Sequence, residues 1–253
     1  MKNLKLAAVC LSCLTMTGCS ALNFSVEGLI NAPKLTSEQS EIHQALIESV
    51  GSNITLKYPK NGEYRSAYVI VNIDDEPTDE AMVFYEYTSN GSEEDGLRVN
   101  ILDKDEDGKW YSVKELAGAG TDIDQVIISP MGSNNQTDVF VGYQNLTNDE
   151  KTMEIYSYTD GDFKRVALDT YSVLEPLDIN NDGYIELITI QRSTNNDTGA
   201  VTAKASMLNM KNNEITRGEN VDMCDNVTSY VSSKTGMLDS GRRAIFIDGL
   251  TAD

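Results

Sequence analysis

The feature that most constrains this chain is a loop in which oxygen-bearing side chains recur at alternate positions. Asp178, Asn180 and Asp182 occupy positions 1, 3 and 5, Gly183 occupies position 6, and Glu186 occupies position 9. Glycine readily adopts the positive φ that a sharp turn requires. Because Ca²⁺ prefers six to eight oxygen ligands in a flexible cage, this spacing predicts a structural calcium site.

The residues on either side of this loop predict strands. A helix–loop–helix calcium motif requires a bidentate Glu at position 12, where this chain has Thr189. Residues 185–191 are rich in β-branched side chains, and Pro176 within residues 171–177 disfavours a helix. The loop therefore connects two strands, and the main-chain carbonyl of Tyr184 adds an oxygen at position 7. The alternative is an Asn/Asp/Gly turn that binds no ion.

Four segments of the chain share the order strand, polar loop, strand. The predicted strand pairs are 68–72 with 81–85, 125–128 with 139–143, 171–177 with 187–190, and 227–231 with 244–247. The second strands begin 58, 48 and 57 residues apart, a period typical of four-stranded propeller blades. Two further strands fit within each interval, and we expect hairpin turns at residues 103–108 and 159–162.

The fourth copy has only two predicted strands, which indicates an incomplete blade. Propellers normally close with four or more blades. We therefore expect either further residues beyond Asp253 or an open sheet edge that pairs with a partner.

The strand–DxNxDGxxE–strand pattern resembles the FG-GAP/VCBS type of repeat. Such repeats form β-propeller blades and often carry Ca²⁺. From about residue 36 to its end, the chain resembles lipoproteins of Gram-positive, clostridia-like bacteria with degenerate repeats of this type. The resemblance implies an all-β, propeller-like fold and a surface-displayed binding or scaffold role without established catalysis. The third copy alone keeps the whole loop, because Pro77 replaces the glycine in the first copy and Arg243 replaces Glu186 in the fourth.

The N-terminus resembles a bacterial lipoprotein signal. Lys2 and Lys5 precede the apolar residues 6–14, a stretch too short to span a bilayer. Gly18 and Cys19 follow in the arrangement of a lipobox. This resemblance predicts cleavage after Gly18, diacylglycerol and palmitate on Cys19, and anchoring on the extracytoplasmic face of the cell membrane. The alternative is an ordinary signal peptide that is cleaved nearby.

The sequence divides into four predicted segments. They are a signal peptide (residues 1–18), a tether (19–35), a helix (36–51) and the repeat domain (55–253). Thr36 and Gln39 form a capping box at the start of the helix, and Gly51 ends it. We expect the helix either to pack on the β body or to separate it from the lipid.

Composition limits the function classes. The chain has 40 acidic and 20 basic residues, a net charge of -20, which disfavours nucleic acid as a partner. His43 is the only histidine, and the sequence contains neither HExxH nor a phosphate loop. We therefore expect a binding module for a protein or glycan, and no enzyme. The alternatives are a carbohydrate-active enzyme that uses a carboxylate pair and a purely structural envelope protein.

Overall fold

The computed structural model describes residues 35–253 except 75, 89–95, 132–135, 146–149, 179–182, 195, 200, 212–213, 219–220, 226, 238–242 and 252–253. The chain divides into two units, Met1–Ser40 and Glu41–Asp253. The predicted signal peptide and lipid-bearing Cys19 lie outside the described residues. Within the described part, no helix is both long and apolar enough to cross a membrane.

The predicted helix is present as α1 (Ser37–Val50). Its capping box is reciprocal. The Thr36 N–H donates to Gln39 Oε1, and the Gln39 N–H donates to Thr36 Oγ1, each at 3.1 Å. Gly51 follows the helix with a φ of 86°, the left-handed conformation that favours glycine after a helix end.

Within the second unit, the apolar face of α1 packs on the β body. Ile42, Ala45 and Leu46 are buried in one hydrophobic cluster with Tyr68 and Trp110. The spacing of apolar residues along the helix thus places Ile42, Ala45 and Leu46 against the first sheet. The helix is part of the core of this unit.

Strands account for most of the described residues. In chain order they are β1 (Ile54–Leu56), β2 (Tyr68–Val71), β3 (Glu80–Tyr87), β4 (Leu97–Lys104), β5 (Trp110–Ala117), β6 (Asp122–Ser129), β7 (Asp138–Gln144), β8 (Lys151–Thr159), β9 (Asp162–Tyr171), β10 (Val173–Leu177), β11 (Glu186–Thr194), β12 (Val201–Lys211), β13 (Glu214–Arg217), β14 (Val221–Asp225), β15 (Val227–Met237) and β16 (Arg243–Thr251).

These strands form antiparallel sheets that match the predicted blades. In the first sheet, β1 and β2 pair with successive parts of β3, followed by β4 and β5. The second sheet has the order β6-β7-β8-β9. In the third, β10, β11 and β12 are followed by β13 and β14, which both pair with β12. Among the described residues the fourth sheet consists of β15 and β16. The predicted all-β, propeller-like fold is confirmed.

The four copies also share a register. Position 9 of the loop is occupied by Glu80, Asp138, Glu186 and Arg243, and each of these residues begins the strand that follows the loop. Position 9 therefore marks the start of the corresponding strand in all four copies.

Both acidic loops predicted as hairpin turns have that geometry. Gly108 has a φ of 76°, and the Asp105 carboxylate accepts the N–H groups of Asp107 and Lys109 at 3.0 and 2.9 Å. Asp160 and Gly161 have φ values of 54° and 72°, as the tightest hairpin turns require. The Asp105 carboxylate thus stabilises its own turn.

The structure corrects one strand boundary. Tyr171 was predicted to begin the third blade, but it ends β9 of the second blade, opposite Lys151. Its ring is fully buried, and its hydroxyl donates to Asp124 at 2.7 Å. Because this buried bond holds Tyr171 in the second blade, the third blade begins after Ser172.

Candidate functional site

The predicted calcium loop is described in part. Asp178, Tyr184 and Glu186 lie in the described residues, whereas Asn180 and Asp182 lie outside them. Gly183 has a φ of 91°, as predicted for position 6, and its N–H donates to Asp178 Oδ2 at 3.1 Å. Among the described residues, no three metal-ligating side chains cluster together.

The first blade closes the equivalent loop with an amide. Asn72 at position 1 donates through Nδ2 to the carbonyl oxygens of Glu76 and Thr78, at 2.5 and 2.9 Å. These carbonyls occupy positions 5 and 7. Asp178 replaces Asn72 in the third blade, and an ionised carboxylate has no hydrogen to donate. A cation satisfies both the carbonyls and the carboxylates in such a loop, so the residues present there fit Ca²⁺.

The acid at position 9 has a structural role in the first two blades. Glu80 Oε2 accepts the Ile73 N–H at 2.8 Å, and Asp138 Oδ2 accepts the Met131 N–H at 2.9 Å. In each case the donor lies seven residues upstream, at position 2 of the loop. This loop closure by the acid at position 9 was not predicted from the sequence.

Buried carboxylates outside the first blade have full sets of donors. Asp124 is 2% exposed and accepts from Asn61 Nδ2 at 2.8 Å, Lys151 Nζ at 2.8 Å and Tyr171 Oη at 2.7 Å. Asp138 accepts from Ser157 as well as from Met131, and Glu154 accepts from Tyr156 and Arg165. These groups therefore stabilise the fold.

Glu80 differs from them. It is 3% exposed, and its Oε1 is buried without a hydrogen-bond partner among the described residues. Burial raises the pKa of Glu80 to about 7. The Ile73 N–H opposes this rise, and the charges of Asp74 and Asp103 add to it. Glu80 is thus a carboxyl group poised to change its ionisation near neutral pH.

Glu80 lines a cleft of about 210 Å³ between the first sheet and the β8–β9 hairpin of the second. The cleft is acidic, and the other carboxylates that line it are those of Asp74, Glu76, Asp103 and Asp162. Its aromatic walls are Tyr111, Tyr158 and Phe163. Aliphatic side chains complete it, among them Ile101 and Val113. This is the combination of acids and aromatics expected of a binding surface on such a fold.

Lys114 also lines the cleft and is already paired. Its Nζ donates to Asp162 Oδ1 and to the Phe163 carbonyl, both at 2.6 Å. The hydrogen bond from Lys114 lowers the pKa of Asp162. Lys114 is the one base among the described residues that line the cleft, so the carboxylates of the lining outnumber the cations.

The seam between the second and third blades is closed. Its cavity measures about 10 Å³ and is lined by apolar residues that include Met131, Ile155 and Ile185. A cavity of that size holds at most one water molecule. Of these two seams, the one between the first and second blades contains the acidic cleft.

One signal for the cleft was present in the sequence. Tyr111 and Val113 alternate on the edge strand β5 and are 46% and 55% exposed. Apolar side chains on the exposed face of an edge strand indicate a surface with a further role. His43 is not among the residues that line the cleft. It is half-buried, and its Nδ1 lies 2.8 Å from the Tyr68 hydroxyl.

No protein-family model matches the chain, and no curated protein is significantly similar to it in sequence. Functional inference therefore rests on the geometry of the cleft and of the loops.

Proposed function

We propose that this protein is a membrane-anchored, extracytoplasmic binding module that holds its ligand in the cleft between the first and second blades. The observation that supports this most strongly is the Glu80 carboxyl group, which is buried beside the cleft with one oxygen unpartnered among the described residues. Buried polar groups normally find a partner. A ligand that donates to Glu80 supplies it.

The proposed anchor is the lipid on Cys19, on the outer face of the cell membrane. The predicted tether, residues 19–35, connects this lipid in sequence to the helix and the β body. Two or more acyl chains hold a protein stably at a bilayer. The predicted role of the lipid is thus to retain the binding module at the cell surface.

The proposed role of Ca²⁺ is structural. In the third blade, Asp178 stands where the Asn72 amide closes the loop of the first blade. A bound ion joins the carbonyl and carboxylate oxygens that the amide would otherwise join. Binding to the folded state alone stabilises it by about 2.7 kcal/mol when free Ca²⁺ is a hundredfold above the dissociation constant.

A carbohydrate-active enzyme is the second candidate. Glu80 combines a raised pKa with two neighbouring aspartates, Asp74 and Asp103, and glycosidases use one protonated and one ionised carboxyl group. The small volume of the cleft favours binding of a side-chain-sized group over an oligosaccharide. The enzyme candidate predicts release of reducing sugar, which simple binding does not.

The test combines fractionation with ligand capture. Wild-type protein is expected in the membrane fraction, and Cys19→Ala is expected either to release it or to block its processing. Purified full-length protein in detergent is then applied to peptide and glycan arrays, with Glu80→Gln beside it. Capture by wild type and loss in Glu80→Gln support the proposal. Membrane retention of a normally processed Cys19→Ala protein contradicts the anchor, and capture that is unaffected by Glu80→Gln contradicts the site.

A further inference from the structure

We infer that the cleft beside Glu80 binds a primary ammonium group on an aliphatic stem, the chemistry shared by a lysine side chain and a free diamine. This inference rests on the proposed binding function and names the ligand class of that site.

The first support is the hydrogen bonding of Glu80. Its Oε2 accepts the Ile73 N–H at 2.8 Å, whereas Oε1 is buried without a partner among the described residues. An acceptor left unsatisfied in the interior costs free energy. An ammonium group has three donors and no acceptor, so it satisfies Oε1 and leaves no lone pair unmatched. A carbohydrate hydroxyl brings one donor and also two lone pairs of its own.

The second support is the charge of the cleft. The charged and phenolic groups that line the cleft with Glu80 are the acids Asp74, Glu76, Asp103 and Asp162, the base Lys114, and the phenols Tyr111 and Tyr158. Lys114 is the one base among these described lining residues, so the carboxylates of the lining outnumber it and attract a cation. Burial and the charges of Asp74 and Asp103 keep the pKa of Glu80 near 7. An ammonium beside it lowers that pKa and holds the carboxylate ionised.

The third support is the shape of the cleft and the nature of its walls. Ile101, Val113 and Phe163 offer apolar contact to a methylene stem, and Tyr111 offers an aromatic face on which a cation is stabilised. The volume of about 210 Å³ lies below the roughly 300–1,000 Å³ of pockets for drug-sized ligands.

The experiment is isothermal titration calorimetry on the full-length protein in detergent micelles at pH 7. The probes are the diamine cadaverine and Nα-acetyl-lysine N-methylamide, and the uncharged control is Nα-acetyl-norleucine N-methylamide. Binding of one or both ammonium probes is expected, at least tenfold tighter than binding of the norleucine control. Tighter binding of cadaverine assigns a free diamine as the ligand, and tighter binding of the lysine amide assigns a side chain.

Three variants locate the binding. Glu80→Gln keeps the size of the side chain and removes its charge, and we expect at least a tenfold loss of affinity. Glu106→Gln is the matched control, because Glu106 is exposed on the β4–β5 turn and does not line the cleft. Its affinity is expected to match wild type. Asp103→Asn, which faces the cleft from β4, is expected to lose affinity severalfold and decides the matter if Glu80→Gln fails to fold, as judged by circular dichroism.

Four outcomes overturn the inference. Equal binding of the lysine and norleucine amides shows that charge is not recognised. Equal losses in Glu80→Gln and Glu106→Gln show attraction to the acidic surface alone. Capture of a glycan in a Glu80-dependent way, without any response to the ammonium probes, overturns the ligand class while the binding function stands. Failure of wild type to bind any probe, peptide or glycan contradicts both the ligand class and the proposed binding function.

Discussion

Asp124→Asn is expected to destabilise the β body strongly, because this one carboxylate joins three separate parts of the fold. It accepts from Asn61 in the β1–β2 connection, from Lys151 at the start of β8 and from Tyr171 at the end of β9. An amide in its place offers one acceptor oxygen and turns two donors towards groups that also donate. The buried Tyr171 hydroxyl and the Lys151 ammonium then compete for a single neutral oxygen.

The magnitude follows from burial. Asp124 is 2% exposed and the Lys151 side chain is 21% exposed, so solvent replaces few of the lost bonds. Removing one partner of a buried ion pair costs about 3–5 kcal/mol. Asn retains part of the hydrogen bonding, so we expect a loss of about 3 kcal/mol in the free energy of unfolding. For a domain of this size that corresponds to a fall in Tm of about 6–12 °C.

The matched control is Asp160→Asn, which also breaks an aspartate–lysine pair. Asp160 and Lys164 are 82% and 44% exposed, and such pairs contribute about 0–1 kcal/mol. Asn also tolerates the positive φ of residue 160. Urea unfolding followed by circular dichroism measures both variants against wild type. If Asp124→Asn costs no more than Asp160→Asn, the claim that Asp124 holds these three segments together is wrong.

Three further predictions concern the core, the cleft and the calcium loop. A Cβ at residue 142 would lie 2.1 Å from Tyr171 Oη, so Gly142→Ala should cost about 2–4 kcal/mol, and adding Tyr171→Phe should recover part of that loss in thermal melts. Because the pKa of Glu80 rises from 4.5 to about 7 on folding, wild-type stability should fall relative to Glu80→Gln as pH increases from 4.5 to 7. A pKa change of this size corresponds to a stability loss of at most about 3 kcal/mol, and screening by water in the cleft reduces the loss to about 1–2 kcal/mol. A difference in stability between wild type and Glu80→Gln that stays constant across this pH range contradicts the raised pKa. Wild type should melt about 5–10 °C higher in Ca²⁺ than in chelator. The Tm of Asp182→Ala and of Asp178→Asn should be the same in Ca²⁺ and in chelator. Asp178→Asn should be the more stable of the two variants, because its amide closes the loop as Asn72 does.

The architecture was predictable because the repeat carries it in local signals. Alternation of β-branched residues and the recurring loop positions located the second strand of each blade, which begins at Glu80, Asp138, Glu186 or Arg243. The capping box of Thr36 and Gln39 likewise depends on neighbours three residues apart. Such signals can be read from the sequence because the residues that interact are close together along the chain.

The site was less predictable because its partners are distant along the chain. Tyr171 was assigned to the wrong blade, since the bond to Asp124 that holds it spans 47 residues. Glu80 occupies position 9 of its loop, but its place beside the β8–β9 hairpin arises only when two blades meet. Desolvation is a tertiary property, so no local pattern reports the raised pKa of Glu80.

The central claim is that Glu80 is the recognition group of a cation-binding cleft, and carbon-13 NMR of its side-chain carboxyl group tests it most directly. The resonance is assigned by its absence in Glu80→Gln and followed against pH with and without a saturating ammonium probe. We predict a midpoint near pH 7 in the free protein, and a lower midpoint once the ammonium group takes the place of the proton. A midpoint near the ordinary value for Glu, about 4.3, that the probe leaves unchanged would contradict the claim.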